Sequence, residues 1–284
     1  MNRADFLALA GGATFVVPFK TAPYPHASRA NGHDYQGKHY DEATHYANSS
    51  VAIYIPPGWH PREGAVDCIV HFYGWNHDIA STLATYRLRE QLDASKRNAI
   101  LIVPEGPTDA PDSGDGKLEL DEGGFARFIS DVLAWLQRSG HSPVNRAGRI
   151  VVTAHSGGYG GAGGVLTHGG MNDAISDVIL FDAAYGYYDA FAQWATGAPQ
   201  RKLLSLFTDD TSTGNAVLMS KVQAATPNIY VFDAGTMTLA QLQTRAPSFA
   251  ITTTVAHDDL LTHQNWYELF LRSTALTALN SGAA

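Results

Sequence analysis

From residue 51 onward, short apolar runs rich in Val, Ile, Leu and Phe recur at intervals: "VAIYIP", "VDCIVHFYG", "NAILIVPEG", "RIVVTAHS", "DVILFDA", "KLLSLFTD", "NIYVFDAG" and "FAITTTVAH". Each has the length and β-branched content of a strand. Several are nearly continuous rather than alternating, which predicts strands covered on both faces. Between some of them the apolar period changes. "TLATYRLREQLDASK" brings Leu83, Tyr86, Leu88 and Leu92 near one helical face, and "GGFARFISDVLAWLQRSG" forms a wide stripe of Phe125, Phe128, Ile129, Val132, Leu133 and Leu136. "NWYELFLRSTALTAL" predicts a closing helix. Strand, helix, strand in succession requires crossovers and hence parallel pairing. The predicted class is α/β, a mostly parallel open sheet flanked by helices on both faces. No repeat or linker divides residues 50–280, so residues 31–284 read as one domain. The stretch between "VILFDA" and "KLLSLF" is too short for a large cap domain.

Ahead of this pattern, Arg3 precedes an apolar stretch from Phe6 to Phe19, followed by small residues and prolines. This is similar to a bacterial secretory signal, predicting a leader over residues 1–30 and a secreted or periplasmic protein. The stretch is too short to stay in a bilayer as a spanning helix. A single arginine does not complete a twin-arginine signal. Residues 31–50 are polar and carry His33, His39 and His45 at a spacing that suits neither helix nor strand, so a solvated segment is expected rather than a metal site.

Charge and cysteine content narrow the function classes. The net charge is −8 with no basic block, which argues against nucleic acid or an anionic membrane as the main partner. Cys68 is the single cysteine, so neither an intramolecular disulfide nor a cysteine-rich metal site can form; within "VDCIVHF" it reads as a small buried strand residue. The loop carrying Asp109, Asp112, Asp115, Glu119, Asp121 and Glu122 lacks the acidic spacing of an EF-hand and is expected to be solvated.

The most specific chemistry lies in "RIVVTAHSGGYGGAGG", where a strand drives into Ser156 and a glycine-rich turn. A serine hydroxyl is a weak nucleophile and needs a base and oxyanion donors. A tight strand-to-helix turn lifts it above the sheet, frees the next backbone N–H and sets the positive end of a helix beneath the developing charge. Such a turn crowds the residues two before and two after the serine, and here those are the small Ala154 and Gly158.

Ala154-His155-Ser156-Gly157-Gly158 resembles the nucleophile elbow of the α/β-hydrolase superfamily, usually Gly-x-Ser-x-Gly. Ala154 departs from the first glycine, as in some bacterial lipases. The resemblance extends over most of residues 50–275 through strand order. It implies a serine hydrolase without a metal or organic cofactor. The oxyanion donors would be the N–H groups of Gly157 and of Trp75, the latter in "VHFYGWNHD", a segment similar to the His-Gly-x segment of superfamily esterases with Tyr73 at the usual histidine. The base would be His257, directly after the last strand, rather than His263 further on. The orienting acid would be Asp182, in a segment similar to the "LDPA" of some lipases, or Asp209, at the strand end more common in the superfamily. His155 should point away from the serine. Tyr73, Asn76, Tyr159, Tyr185 and Tyr187 are candidate substrate contacts, with Trp75, and suit an apolar or aromatic ester.

Other readings stay open on sequence. The same triad could cleave an amide in a peptide or cell-wall substrate, and a hydrolase fold can serve as a binding protein. Gly158-Tyr-Gly-Gly-Ala-Gly163, with Asp182 after the next strand, also matches a dinucleotide fingerprint. That fingerprint usually follows a domain's first strand, whereas three strand-like runs precede this one, and it gives His155 and Ser156 no role.

Overall fold

The computed structural model describes residues 12–244 and 248–279. The eight expected runs all form strands: β4 Ser50–Ile55, β5 Val66–Phe72, β6 Ile100–Pro104, β7 Ala147–His155, β8 Ile175–Phe181, β9 Lys202–Phe207, β10 Ile229–Asp233 and β11 Ser248–Thr252. They join β1, Ala13–Pro18, in one nine-stranded sheet ordered β1-β4-β6-β5-β7-β8-β9-β11-β10. Strand β4 runs antiparallel to both neighbours, and every other pairing is parallel.

Strand parity divides the interior into two cores. On β5, Val66, Cys68, Val70 and Phe72 face one side with Phe125, Phe128, Val132 and Leu136 of the helix Gly124–Arg138. Ile69 faces the other side, with Leu88, Leu92, Tyr267 and Phe270. On β7, Ile150, Val152 and Ala154 join the first core and Val151 the second. Two covered faces explain why the runs are continuously apolar. Burial also explains the inert reading of Cys68, whose thiol it pushes well above the usual range. The predicted helix over residues 82–96 is two helices, Ile79–Thr85 and Leu88–Ser95, broken where Arg87 takes a φ of +50°. Among the described residues no helix is long and apolar enough to cross a membrane.

Residues 1–11 of the expected leader lie outside the described residues, and its remainder is built into the fold. β1 pairs with β4 over six residues, and Phe19, Ala22 and Tyr24 are buried. An apolar run reads the same whether it awaits export or fills a sheet edge, so pattern alone did not separate them. After it come a hairpin, β2 His33–Tyr35 and β3 Lys38–Tyr40. The histidines of residues 31–50 have separate partners: His39 Nδ1 bonds Asp34 Oδ1 at 2.7 Å and His45 Nδ1 bonds the Thr108 carbonyl at 2.7 Å.

The acidic loop is likewise not simply solvated. Asp112 and Asp115 are buried. Arg29 grips Asp112 with two bonds, Nε to Oδ2 at 2.5 Å and Nη2 to Oδ1 at 2.8 Å. Tyr24 Oη donates to the Gly114 carbonyl at 2.9 Å, and Lys117 Nζ donates to the carbonyls of Pro25 and Ala22. Residues 22–29 therefore strap the loop down.

Candidate active site

Ser156 follows the last residue of β7 and opens a helical run that continues to His168. Its φ is +52°, a left-handed conformation that a serine takes only where surroundings force it. The small neighbours allow it. A Cβ on Gly158 would stand 2.3 Å from the Phe72 carbonyl oxygen, and one on Gly157 would stand 2.6 Å from Trp75 Cδ1. Ala154 is fully buried and paired with Phe72 and Leu180 on the adjacent strands.

The glycines of "GGYGGAGG" are explained by packing. A Cβ on Gly160 would meet the Ser113 carbonyl oxygen at 1.9 Å, and one on Gly164 the Glu119 Cα at 2.4 Å. The backbone at Ser113 and Glu119 lies against this helix, which gives these glycines a packing role.

Asp182 follows β8, with φ +46°, and its side chain is fully buried. Oδ1 accepts from Thr208 N at 2.9 Å and from Thr211 Oγ1; Oδ2 accepts from Thr208 Oγ1 at 2.6 Å and from His257 Nδ1 at 2.7 Å. Burial pushes this carboxyl up, but the bonds from His257 and Thr208 outweigh it and hold the pKa at about 2. An ionised, four-fold acceptor fixes the proton of His257 on Nδ1. Nε2 is then a bare lone pair, the form a general base needs. The Asp182 bond raises the pKa of His257 against the opposing effect of burial.

The other candidates separate. Asp209 opens the short turn Asp209–Thr211, is exposed and makes no side-chain bond to His257. The turn contributes instead Thr208 and Thr211, which hold the competing carboxylate. His263 packs against Trp266, with ring centroids 4.7 Å apart. His155 is buried and packs on His257, also at 4.7 Å.

On the far side of Ser156, the Gly74 backbone lies against the serine side chain, since a Cβ there would stand 3.1 Å from Ser156 Oγ. This brings the Gly74–Trp75 peptide beside the hydroxyl. The Asn76 N–H is committed to the Ala110 carbonyl at 3.0 Å, whereas the Trp75 N–H has no partner among the described residues. Ser156 Oγ also has no hydrogen-bond partner among them; serine–histidine bonds commonly tighten only when substrate arrives.

A cavity of about 220 Å³ opens on Ser156, lined by Trp75, Ser113, Gly157, Tyr159 and Tyr185. Two larger grooves, of about 610 and 570 Å³, do not touch the serine. Tyr159 and Tyr185 have ring centroids 5.9 Å apart. Trp75 Nε1 donates to Ser113 Oγ at 2.8 Å, and its ring meets Tyr35 edge-on at 5.1 Å. Three expected contacts are corrected. Tyr73 is buried beneath the site, its Oη accepting from Gly106 N at 2.8 Å. Asn76 sits at φ +58° and does not line the cavity. Tyr187 donates to Glu119 Oε1 at 2.7 Å and is likewise outside it. Sequence reasoning missed Ser113, Thr208, Thr211, Tyr86 and Tyr35. The threonines flank the "TDDT" turn and were legible as donors; nothing local marks Ser113 or Tyr35.

No protein-family model and no curated protein matches the chain. Among solved structures it is similar to a serine-to-alanine mutant of the feruloyl esterase module from Clostridium thermocellum complexed with sinapinate. That match has a TM-score of 0.55 and 11% identity, over 79% of this chain and 82% of the other. It is also similar to an S-formylglutathione hydrolase from Agrobacterium tumefaciens, with a TM-score of 0.51 and 10% identity over 95% and 100% of the two chains. The fold is that of the α/β-hydrolases.

Proposed function

We propose that this α/β-hydrolase fold is a serine hydrolase that cleaves a carboxylic ester through an acyl-enzyme on Ser156. The observation that supports it most is the pairing of a left-handed serine at a strand-to-helix turn with an imidazole whose Nδ1 is held by the buried, ionised Asp182. His257 Nε2 takes the Ser156 proton as Oγ attacks the acyl carbon. The carbonyl oxygen becomes an oxyanion, met by the N–H groups of Trp75 and Gly157 at the positive end of the helical run. Collapse expels the alcohol with the proton from His257. Water repeats the cycle and frees the acid and Ser156.

The cavity supports a planar, aromatic acyl or alcohol group. Its walls are Trp75, Tyr159 and Tyr185, and its volume of about 220 Å³ suits one substituted ring rather than a long chain. Pre-steady-state hydrolysis of p-nitrophenyl esters tests the reaction: a burst of one equivalent of nitrophenol per enzyme, absent from Ser156→Ala, is expected. Faster turnover of benzoyl-type than of hexanoyl esters is expected from the walls. No burst and no ester turnover would overturn the proposal; turnover of peptides alone would transfer the same residues to amide cleavage.

We also propose a secreted or periplasmic location from the Arg3 and Phe6–Phe19 pattern. Processing after residue 30 would strip β1 and the Arg29–Asp112 pair from the fold. Sequencing the N-terminus of the protein recovered outside the cytoplasm tests this.

A further inference from the structure

His257 lies in the short turn His257–Asp259 after β11, and Asp182 fixes its ring but not its backbone. A second network does. His155 Nε2 is 3.1 Å from the His257 backbone carbonyl, and His155 Nδ1 is 3.1 Å from Tyr86 Oη. Tyr86 Oη is in turn 3.2 Å from His77 Nε2. Tyr86 is fully buried, and His155 is 2% exposed.

One carbonyl orients the whole chain of groups. A carbonyl only accepts, so His155 Nε2 carries the proton. Burial holds His155 neutral, at a pKa of about 3, so its Nδ1 is bare and must accept. Tyr86 Oη is its donor, and the tyrosine oxygen is left to accept from His77 Nε2–H. Burial likewise lowers the pKa of His77, favouring the neutral ring this order needs. Each of the three contacts then has one donor and one acceptor. Parity on β7 sends His155 to the face of Tyr86, opposite Ala154, and its ring lies against the His257 ring at 4.7 Å and 39°.

We infer that His155 and Tyr86 are positioning residues for the base: their hydrogen-bonded series, continued to His77, anchors the His257 backbone so that Nε2 is presented to Ser156. The inference rests on the serine hydrolase reading above. His155 touches no reacting atom, and its part is to limit where His257 can stand. A base displaced by ~1 Å can lose ~100-fold in rate without altering substrate binding.

The test compares His155→Leu, His155→Gln and Tyr86→Phe with wild type, reading kcat, KM, melting temperature and the rate of fluorophosphonate labelling at Ser156. His155→Leu removes the donor to His257, and a fall in kcat and labelling rate of roughly 30–100-fold is expected, with KM within about twofold. Glutamine can place an N–H near the Nε2 position, so His155→Gln should recover most of that loss. Tyr86→Phe, the mildest change, keeps the ring and should cost roughly 3–10-fold in kcat; it carries the test if His155→Leu does not fold. A folded His155→Leu or Tyr86→Phe with wild-type kcat and labelling rate overturns the inference. So does a glutamine variant no better than leucine at equal melting temperature. Wild-type protein that is not labelled at Ser156 removes the hydrolase reading itself, and this inference with it.

Discussion

The two sides of the Ser156 cleft are built in different ways. On the proton-transfer side, Asp182 and His257 stand at the ends of β8 and β11, and the threonines that hold Asp182 follow β9 between them. Sheet hydrogen bonds fix the strand ends, the His155 bond to the His257 carbonyl holds the turn beyond β11, and the four donors on Asp182 come from this one edge. On the opposite side, part of the cavity wall is Ser113 and Trp75, and Ser113 belongs to a loop outside the sheet. What fixes that loop is the N-terminal strap: Arg29 on Asp112, Tyr24 on Gly114, and Lys117 back onto Pro25 and Ala22. The difference teaches a division of labour. The sheet holds Ser156 and Asp182, and a separate strap holds the Ser113 wall of the cavity.

Substitutions should therefore split between kcat on one side and KM on the other. The largest effect is expected from Ser156→Ala, which should remove at least ~10⁴-fold of kcat on a p-nitrophenyl ester. Asp182→Asn should follow, at roughly 10³–10⁴-fold, because the amide no longer compels the Nδ1–H tautomer; Asp209→Asn should change kcat less than about twofold, since its side chain stands apart from His257. Comparable losses in the two variants would contradict the assignment of the acid.

On the wall side, Gly160→Ala drives a methyl group into the Ser113 carbonyl. It should raise KM for an aromatic ester by about tenfold while kcat falls far less. Arg29→Ala leaves the buried Asp112 carboxylate without its partner, and a loss of up to about 3 kcal/mol by chemical unfolding is expected, toward the low end for a buried pair because Arg29 is partly exposed. Its activity signature should again lie in KM. A kcat loss with unchanged KM in either variant would erase the distinction between the two sides.

The smallest expected effect is in pH dependence. The proposed mechanism needs neutral His257, whose pKa Asp182 raises, so the acid limb of kcat/KM should have its midpoint above the usual imidazole value. Asp182→Asn should move that midpoint down. Stability responds with opposite signs. The raised His257 contributes stability that is complete below its unfolded pKa and is lost as pH rises through the folded one. Asp182, held at about 2, contributes stability above the ordinary aspartate value that is lost as pH falls toward 2. Urea unfolding across that acid range, with Asp182→Asn as reference, separates the two.

The division also marks where sequence was informative. The strands of the sheet were legible because two buried faces demand continuous apolar runs, and the elbow was legible because its sterics demand Ala154, Gly157 and Gly158. The choice between Asp182 and Asp209 was not: both are aspartates at strand ends. They differ in backbone, φ +46° at Asp182, and in the threonines that the losing turn lends to the other. The strap was hidden for another reason. Its main bond joins residues 83 apart in sequence, Arg29 and Asp112, and no local period records such a pairing. The same segment carries an apolar run whose pattern suits a leader and a sheet edge equally, so its place in the sheet had no signal of its own.

The central claim, that the hydroxyl at position 156 is a nucleophile served by His257, is tested most directly by covalent capture. Wild-type protein treated with a fluorophosphonate and analysed by intact and peptide mass spectrometry should carry one adduct, on Ser156. Ser156→Ala should carry none, and His257→Ala should react orders of magnitude more slowly. An unmodified wild type, or an adduct placed on another residue, would contradict the account.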